Sequence, residues 1–214
     1  MKRVHDQSKW LPLAVWLAPA IAVISIAGMQ PFFPVDELMR DAYTMSWSNG
    51  NQMEPHFGAL SMAGLFIWAA AAAICLFAAA IFRSVGDRGW ARLFFACGLL
   101  TAYILADDAF LLHEVVAPSF GGSEKLILAL IGGGAAWIAF KYWRYFRSAD
   151  LAFLTAAISL LGFSVAFDIF FGGVAADLIF IEDGAKFIGA WAWLGFIGIS
   201  ARKALYANFR LASL

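Results

Sequence analysis

The sequence predicts an all-α integral membrane protein: one polytopic domain, residues 1–214, built as a bundle of six transmembrane helices with both termini in the cytoplasm. Of the 214 residues, 63% are hydrophobic and only 14% are charged, a balance well outside that of a typical soluble domain. Apolar stretches near the roughly 20 residues that cross a bilayer as a helix recur along the chain. The strict alternation over about ten residues that marks a membrane barrel strand is absent. The spans are therefore predicted to be helical.

The predicted spans are 11–29, 57–82, 91–112, 126–146, 151–171 and 182–201. The first follows a basic N-terminus and has the small residues Ser25 and Ala27 near its end, as a signal peptide would. Its apolar stretch, Leu11 to Met29, is long for a signal-peptide core. We therefore expect it to be retained as the first helix.

The basic residues predict the orientation of these spans. With six crossings, 12 of the 15 Lys and Arg lie on the side of the N-terminus, the 83–92 and 141–150 loops and the C-terminal tail. They are Lys2, Arg3, Lys9, Arg83, Arg88, Arg92, Lys141, Arg144, Arg147, Arg202, Lys203 and Arg210. Because short cytoplasmic loops carry the excess of Lys and Arg, this side is expected to face the cytoplasm of a bacterial-type cell membrane.

The acidic residues are distributed in the opposite way. Only Asp6, Asp87 and Asp150 fall on the predicted inner side, and 12 of the 15 acids lie outside or at outer helix ends. Those 12 are Asp36, Glu37, Asp41, Glu54, Asp107, Asp108, Glu114, Glu124, Asp168, Asp177, Glu182 and Asp183. Topology itself requires little of acidic residues. The acidic outer side therefore needs a separate explanation.

The one long connection, residues 30–56, is predicted to hold a short amphipathic helix at about 34–47 on the outer surface. Pro34 suits a first-turn position, and Asp36 and Glu37 close behind it suit a helix N-terminus. Small residues are dense in the second and fourth spans, including Gly58, Ser61, Gly64, the run Ala69–Ala73, the run Gly132–Gly134 and Ala136. They predict close helix packing, because helices in lipid approach at small residues.

The third span carries the most unusual pattern, ILADDAFLLHE, in which Asp107 and Asp108 interrupt an apolar run that ends in His113 and Glu114. At about 100° per residue, a continuous helix would place Asp107 and Glu114 on nearly the same face and His113 well away from it. Charged groups in a span are costly, usually face the bundle interior and often mark a functional path. A purely structural role is the weaker explanation for the two aspartates.

Two further spans bring acids to the same predicted level. Asp168 lies near the outer end of the fifth span, and the sixth begins with Glu182, Asp183 and Lys186. The last three also fit a purely structural explanation, in which the acids stabilise a helix start and Glu182 pairs with Lys186. The functional alternative predicts that Asp107 faces Asp168 and the start of the sixth helix.

Carboxylates grouped in this way suit either a divalent cation or protons. Hard cations such as calcium or manganese take carboxylate oxygen, and an imidazole extends the choice to iron or zinc. Acids that share an unpaired site would instead hold a proton, as in a proton relay. The candidate ligands are Asp107, Asp108, His113, Glu114, Asp168, Glu182 and Asp183, with Lys186 as counter-charge and Glu54 and His56 as additional ligands.

Three functions fit these features. The first is a protein with an outward carboxylate and histidine pocket, extending to a membrane-embedded metal-dependent enzyme. The second is a non-catalytic subunit that packs against other membrane proteins through its small-residue and aromatic faces. The third, an ion or solute transporter, is weakened because the inner half of every span lacks an acidic residue. The partners that these features indicate are the lipid bilayer and, through the small-residue and aromatic faces, other membrane proteins. Nucleic acid is not indicated, and the zinc peptidase motif HExxH is absent.

Overall fold

The structure is a computed structural model that describes residues 7–146, 150–171 and 176–212. Lys2, Arg3, Asp6 and Arg147, which belong to the predicted charge pattern, lie outside the described residues. Within them the secondary structure is entirely helical. The α-helices are α1 (Gln7–Met29), α2 (Val35–Met39), α3 (Ala42–Ser48), α4 (Ala59–Ser84), α5 (Arg88–Phe110), α6 (Ala117–Ser119), α7 (Glu124–Lys141), α8 (Trp143–Phe146), α9 (Leu151–Phe171) and α10 (Ala176–Ala212), with a π-helix at Leu112–Val116.

Among the described residues, five helices are long and apolar enough to cross a membrane: Leu11–Met29, Ala59–Ser84, Arg88–Phe110, Leu151–Phe171 and Leu178–Asn208. They coincide with five of the six predicted spans. The predicted span 126–146 is not confirmed, because α7 ends at Lys141 and a new short helix begins at Trp143. α7 has only 18 residues, and three of them, Glu124, Lys125 and Lys141, are charged, which makes it a weaker candidate for a membrane crossing than the other five helices.

The chain forms two compact units. Unit 1 comprises Met1–Gly64 and Ala152–Gly195, and unit 2 comprises Leu65–Leu151 and Phe196–Leu214. In unit 1, α1, α9 and the first part of α10 meet around Trp16, whose indole N–H donates to the Trp191 carbonyl at 2.9 Å. The Trp191 indole returns the bond to the Trp16 carbonyl at 2.7 Å, and the rings stack at 5.4 Å. Reciprocal bonds of this kind satisfy both indoles, because buried N–H groups need an acceptor.

The connection after α1 holds two short helices, so the single helix predicted at 34–47 is wrong. α2 ends at Met39, and Arg40 and Asp41 have extended backbone before α3 begins. The Asp41 carboxylate accepts a hydrogen bond from the Thr44 N–H at 2.7 Å. An aspartate that caps a helix in this way favours the start of a second helix over the continuation of the first. Met39 and Met45 are the buried residues of the pair.

In unit 2, α4 and α5 form a hairpin with its turn at Gly86. Asp87 caps the start of α5, because its carboxylate accepts hydrogen bonds from the Gly89 and Trp90 N–H groups. The two helices approach closely at Gly98, where a Cβ would lie 2.8 Å from the Leu76 side chain. α7 packs against α5 and against the π-helix. The C-terminal end of α5 is therefore held on one side by α7.

The small residues of the second and fourth spans, which are predicted to pack closely, divide into two groups. Gly58, Ala71 and Ala72 are closely packed or buried, whereas Gly64, Gly132 and Gly133 are not closely packed. No described atom lies within 4 Å of a Cβ built at Gly64, Gly132 or Gly133, and at Gly134 the nearest is Leu100 at 3.8 Å. Close approach also occurs at Gly98 and at Gly28, Gly189 and Gly195 of unit 1. Density of small residues alone does not show which face of a helix they occupy.

Candidate functional site

The C-terminal end of α5 has an unusual backbone. α5 ends at Phe110, Leu111 adopts a left-handed conformation with φ of 51°, and Leu112–Val116 form a π-helix. A left-handed residue that is not glycine costs roughly 1–2 kcal/mol, and π-helical turns are rare and frequent at functional sites. The N–H groups of Val115 and Val116 both bond to the Leu111 carbonyl, at 2.8 and 3.0 Å. The backbone changes direction at Leu111, and this change places the residues after Leu111 close to the end of α5.

This change of direction joins Asp107 to His113. The ring Nδ1 of His113 lies 2.6 Å from Asp107 Oδ2, and the backbone N–H of His113 donates to Asp107 Oδ1 at 3.1 Å. Asp107 is 2% exposed and His113 is 7% exposed. Both oxygens of one carboxylate thus hold one histidine, by its backbone and by its ring, in a buried position.

The contacts define what the histidine ring can do. With Asp107 ionised, both of its oxygens are acceptors, so Nδ1 carries the proton of a neutral ring and Nε2 is the basic nitrogen. A carboxylate that holds Nδ1–H fixes both the tautomer and the ring orientation, as in histidines that act as bases or metal ligands. The arrangement is therefore suited to accepting a proton, or an electrophile, at Nε2.

Glu114 lies on the Nε2 side of the ring. Its Oε1 is 3.5 Å from His113 Nε2, and its side chain is 47% exposed against 9% for His113. That distance is beyond a normal hydrogen bond, but a small rotation or one bridging water would connect the groups. Glu114 therefore links the buried pair to the protein surface.

The helical-wheel prediction for this segment is wrong. It grouped Asp107 with Glu114 and separated both from His113, because it assumed one continuous helix. The left-handed Leu111 and the π-helix change the rotation after Phe110, and Asp107 meets His113 directly. Asp108, the next residue of α5, is half-buried and has a hydrogen-bond or electrostatic partner of its own.

The other predicted acids belong to unit 1. Asp168 is half-buried near the end of α9. Glu182, Asp183 and Lys186 are half-buried in α10 and each has a hydrogen-bond or electrostatic partner. Because α10 begins at Ala176, these three residues follow its first turn, and the explanation of the acids as helix-start residues is wrong. That Asp107 faces Asp168 and this part of α10 stays a prediction.

His56 has a carboxylate partner that the sequence did not indicate. Its Nε2 lies 2.6 Å from Glu37 Oε2, in α2, and its ring stacks on Phe33 at 4.0 Å between centroids. The predicted neighbour, Glu54, is exposed. The Glu37 carbonyl also accepts from the Gly58 N–H at 2.8 Å, so backbone and side chain together join α2 to the start of α4.

The metal prediction gains no support. Within either unit, the described residues contain no group of three or more His, Cys, Asp or Glu that could hold a metal ion. Asp107 and His113 alone would leave most coordination positions of a zinc or calcium ion to water. Cys75 and Cys97 are free thiols, buried in α4 and α5.

Sequence reasoning missed Leu111, Glu37 and the local geometry around them. Nothing in LLHEVV marks a π-helix, and an apolar residue at a left-handed position is contrary to the usual preference for glycine or asparagine there. Glu37 is 19 residues from His56, too far for a local pattern. The signal that the sequence offers is the position of the acids: Asp107 lies near the end of an apolar span, and Glu37 lies in the one long connection.

Comparison with known proteins places the chain in a family without assigning it an activity. No curated protein and no solved structure matches it. One family model, described as "Domain of unknown function (DUF8692)", matches residues 12–198, and this range includes the Asp107–His113 pair. Because the match covers most of the 214 residues, the chain belongs to the DUF8692 family.

Proposed function

We propose that this chain is a multi-pass membrane protein that takes up protons from the outer aqueous phase at His113. Asp107 positions the ring, and Glu114 passes protons between the ring and the surface. The observation that carries this proposal is the double contact of His113, ring and backbone, to one buried carboxylate.

The distribution of charge supports six crossings, with both termini in the cytoplasm. If α7 also crosses, 12 of the 15 basic residues lie on the inner side. If it does not, eight of the 15 fall on the side opposite to the N-terminus: Arg40, Lys125, Lys141, Arg144, Arg147, Arg202, Lys203 and Arg210. The positive-inside rule therefore favours a crossing by α7, whose 18 residues measure about 27 Å as a helix.

With this topology the C-terminal end of α5 lies at the outer side. The Asp107–His113 pair is then buried near the membrane boundary, with Glu114 toward the water. Ionisable groups in such positions occur in proton relays. A histidine changes charge near neutral pH more readily than any other side chain, so His113 is the group in this chain best suited to exchange protons.

Proton binding fits the described contacts better than metal binding. Asp107 accepts hydrogen bonds from Nδ1 and from the backbone N–H of His113, and Glu114 lies 3.5 Å from Nε2. A proton needs only one acceptor. A calcium, manganese, iron or zinc ion would require further ligands, for which Asp108, Asp168, Glu182 and Asp183 remain the predicted source. Stoichiometric metal in purified protein, lost in Asp107→Asn, would favour that alternative.

A non-catalytic subunit remains the alternative from a different class. Lipid contact accounts for the exposed apolar side chains of the spans, such as Phe66, Phe77 and Ile158. A partner protein would therefore have to be shown independently. Pull-down in mild detergent that recovers a constant second membrane protein would support this alternative.

The proposal is tested by the rate at which His113 gains a proton. Infrared bands of ring-labelled histidine are followed after a rapid drop in pH, with the protein in lipid nanodiscs. His113→Asn and His56→Asn assign the bands. Glu114→Gln should slow protonation of His113 several-fold while His56 is unaffected, because Glu114 is the carboxylate that faces Nε2. Equal rates in wild type and Glu114→Gln would contradict the relay.

A further inference from the structure

Asn49 and Gly50 lie in an exposed turn that follows α3. Asn49 caps the end of that helix, since its backbone N–H donates to the Met45 and Ser46 carbonyls at 3.0 and 3.2 Å. Both Asn49 and Gly50 are exposed. Exposed turns of small and polar residues are the parts of a protein where covalent change is most easily tolerated, and an asparagine followed by glycine carries a reaction of its own.

The side-chain amide of an asparagine can react with the backbone nitrogen of the next residue. After losing its proton to hydroxide, that nitrogen attacks Cγ, a C–N bond forms, and the Cγ–Nδ2 bond breaks to release ammonia, which takes a proton from water. Water then opens the resulting succinimide ring at either carbonyl and gives aspartate or isoaspartate. One water is consumed and one ammonia is released. Because both groups belong to one chain, their relative geometry governs the rate.

The Gly50 nitrogen meets the requirements of this reaction. No described residue accepts a hydrogen bond from its N–H, and the Asn49 side chain likewise has no hydrogen-bond partner among them. Gly50 has φ of 65°, and no atom lies within 4 Å of a Cβ built there. Glycine adopts positive and negative φ about equally readily. The turn can therefore rotate until the nitrogen meets Cγ.

The two other asparagines of the chain are held in ways that Asn49 is not. Asn51 is followed by Gln52, whose N–H donates to the Asn49 carbonyl at 3.2 Å, so the nitrogen that would attack is hydrogen-bonded and its residue has a side chain. Asn208 is half-buried in α10. Its Nδ2 donates to Asp87 Oδ2 at 3.3 Å and to the carbonyl four residues earlier at 3.2 Å.

Asp183–Gly184 is a second pair that could form the same ring, because aspartate cyclises with loss of water. Gly184 is buried within α10, and a Cβ there would lie 3.3 Å from the Ile24 side chain. A helix also engages backbone N–H groups in hydrogen bonds to carbonyls four residues earlier. The sequence pattern alone would select both pairs, whereas the structure selects Asn49–Gly50.

We infer that Asn49 is a site of spontaneous covalent modification, at which the folded protein converts an uncharged amide into aspartate and isoaspartate. The conversion adds a negative charge at neutral pH. Isoaspartate also adds one carbon to the backbone of the turn. The modification uses no residue of the Asp107–His113 pair, so the result of its test leaves the proposal for His113 unchanged.

The test ages the full chain in lipid nanodiscs at mildly alkaline pH. Peptide mass spectrometry separates the asparagine, aspartate and isoaspartate forms, and digestion in oxygen-18 water marks conversion that occurs after ageing. Residue 49 should convert at least roughly tenfold faster than Asn51 or Asn208. Gly50→Ala should slow it by roughly tenfold, because the added methyl group hinders ring closure. Asn51→Gln, the matched control, should not change the rate at residue 49.

A synthetic peptide of residues 46–54 separates the effect of the turn from that of the sequence. Both the peptide and the intact protein should form aspartate and isoaspartate at residue 49, and no isoaspartate should form at Asp183. Conversion in the peptide but not in the protein would show that the folded turn protects Asn49. That result would overturn the inference, as would equal rates in wild type and Gly50→Ala, or a rate at Asn51 or Asp183 as high as that at residue 49.

Discussion

In the part of the chain that the structure describes, two histidine–carboxylate pairs have the same contact distance of 2.6 Å, Asp107–His113 and Glu37–His56. They differ in burial and in how they are held. The Asp107 and His113 side chains are 3% and 9% exposed, whereas the Glu37 and His56 side chains are 26% and 19% exposed. Asp107 also accepts the backbone N–H of its partner, whereas His56 is positioned by stacking on Phe33.

The difference shows that distance alone does not distinguish a functional pair from a structural one. An exposed ion pair contributes little because water competes for both groups. A buried pair is costly to break, since the remaining group is left without a partner. Asp107 and His113 form such a buried pair. Their contact also depends on a strained backbone at Leu111, and backbone strain concentrates at functional sites.

The largest loss of stability is expected when the buried Asp107–His113 pair is broken. Asp107→Ala should lower the free energy of unfolding by about 3 kcal/mol, because two donors of His113 lose their acceptor. Glu37→Ala, the matched control, should lower it by no more than about 1 kcal/mol. Both are measured by denaturant titration in mixed micelles. Equal losses would mean that burial does not separate the two pairs.

A smaller effect tests what positions the part-buried Glu37–His56 pair. Gly58 has φ of 66°, and a Cβ there would lie 2.7 Å from the Ala42 backbone nitrogen. Gly58→Ala should therefore cost about 2 kcal/mol through strain and overlap. Gly50, with φ of 65° and open space around it, should cost about 1 kcal/mol when changed to alanine. If Glu37→Ala costs more than Gly58→Ala, side-chain pairing rather than the backbone positions α2.

The backbone strain at Leu111 predicts a still smaller difference in the free energy of unfolding between two variants. Leu126→Gly, at an exposed position in α7, should lower the free energy of unfolding by about 1 kcal/mol, as glycine does in a helix. Leu111→Gly should lower the free energy of unfolding by about 1 kcal/mol less than Leu126→Gly does, because glycine accepts a positive φ. Thermal unfolding of the two variants measures the difference. A Leu111→Gly variant at least as unstable as Leu126→Gly would argue against a strained turn.

The smallest effect on stability is expected at Glu114. Its side chain is about half exposed, so Glu114→Gln should change the free energy of unfolding by less than about 0.5 kcal/mol. The same variant should slow proton uptake by His113. A large loss of stability would indicate a structural ion pair instead of a connection to solvent.

Hydropathy predicted the helical class and five apolar helices correctly because burial in lipid depends on composition averaged over about 20 residues. It overestimated the span at 126–146, since Lys141 and the break at Tyr142 shorten α7. Asp107 could be selected as a candidate from the sequence, because charge within a span is costly, and its functional role stays a prediction.

The direct contact between Asp107 and His113 could not be predicted. It depends on one left-handed leucine and on a π-helix, and neither leaves a recognisable pattern in the sequence. The Glu37–His56 contact is likewise a result of tertiary packing. Periodicity describes regular helices, so it fails where a helix ends irregularly, and the candidate site lies at such a place.

The central claim is that Asp107 holds the Nδ1 proton of His113 and leaves Nε2 to accept protons. Nitrogen-15 NMR of histidine-labelled protein in lipid bilayers tests it directly, since the chain has only three histidines and His113→Asn assigns the signal. At high pH the account predicts a His113 ring protonated at Nδ1, with Nε2 gaining a proton as the pH falls, and loss of this tautomer preference in Asp107→Asn. A ring protonated at Nε2 in the wild-type protein, or a tautomer unchanged in Asp107→Asn, would contradict it.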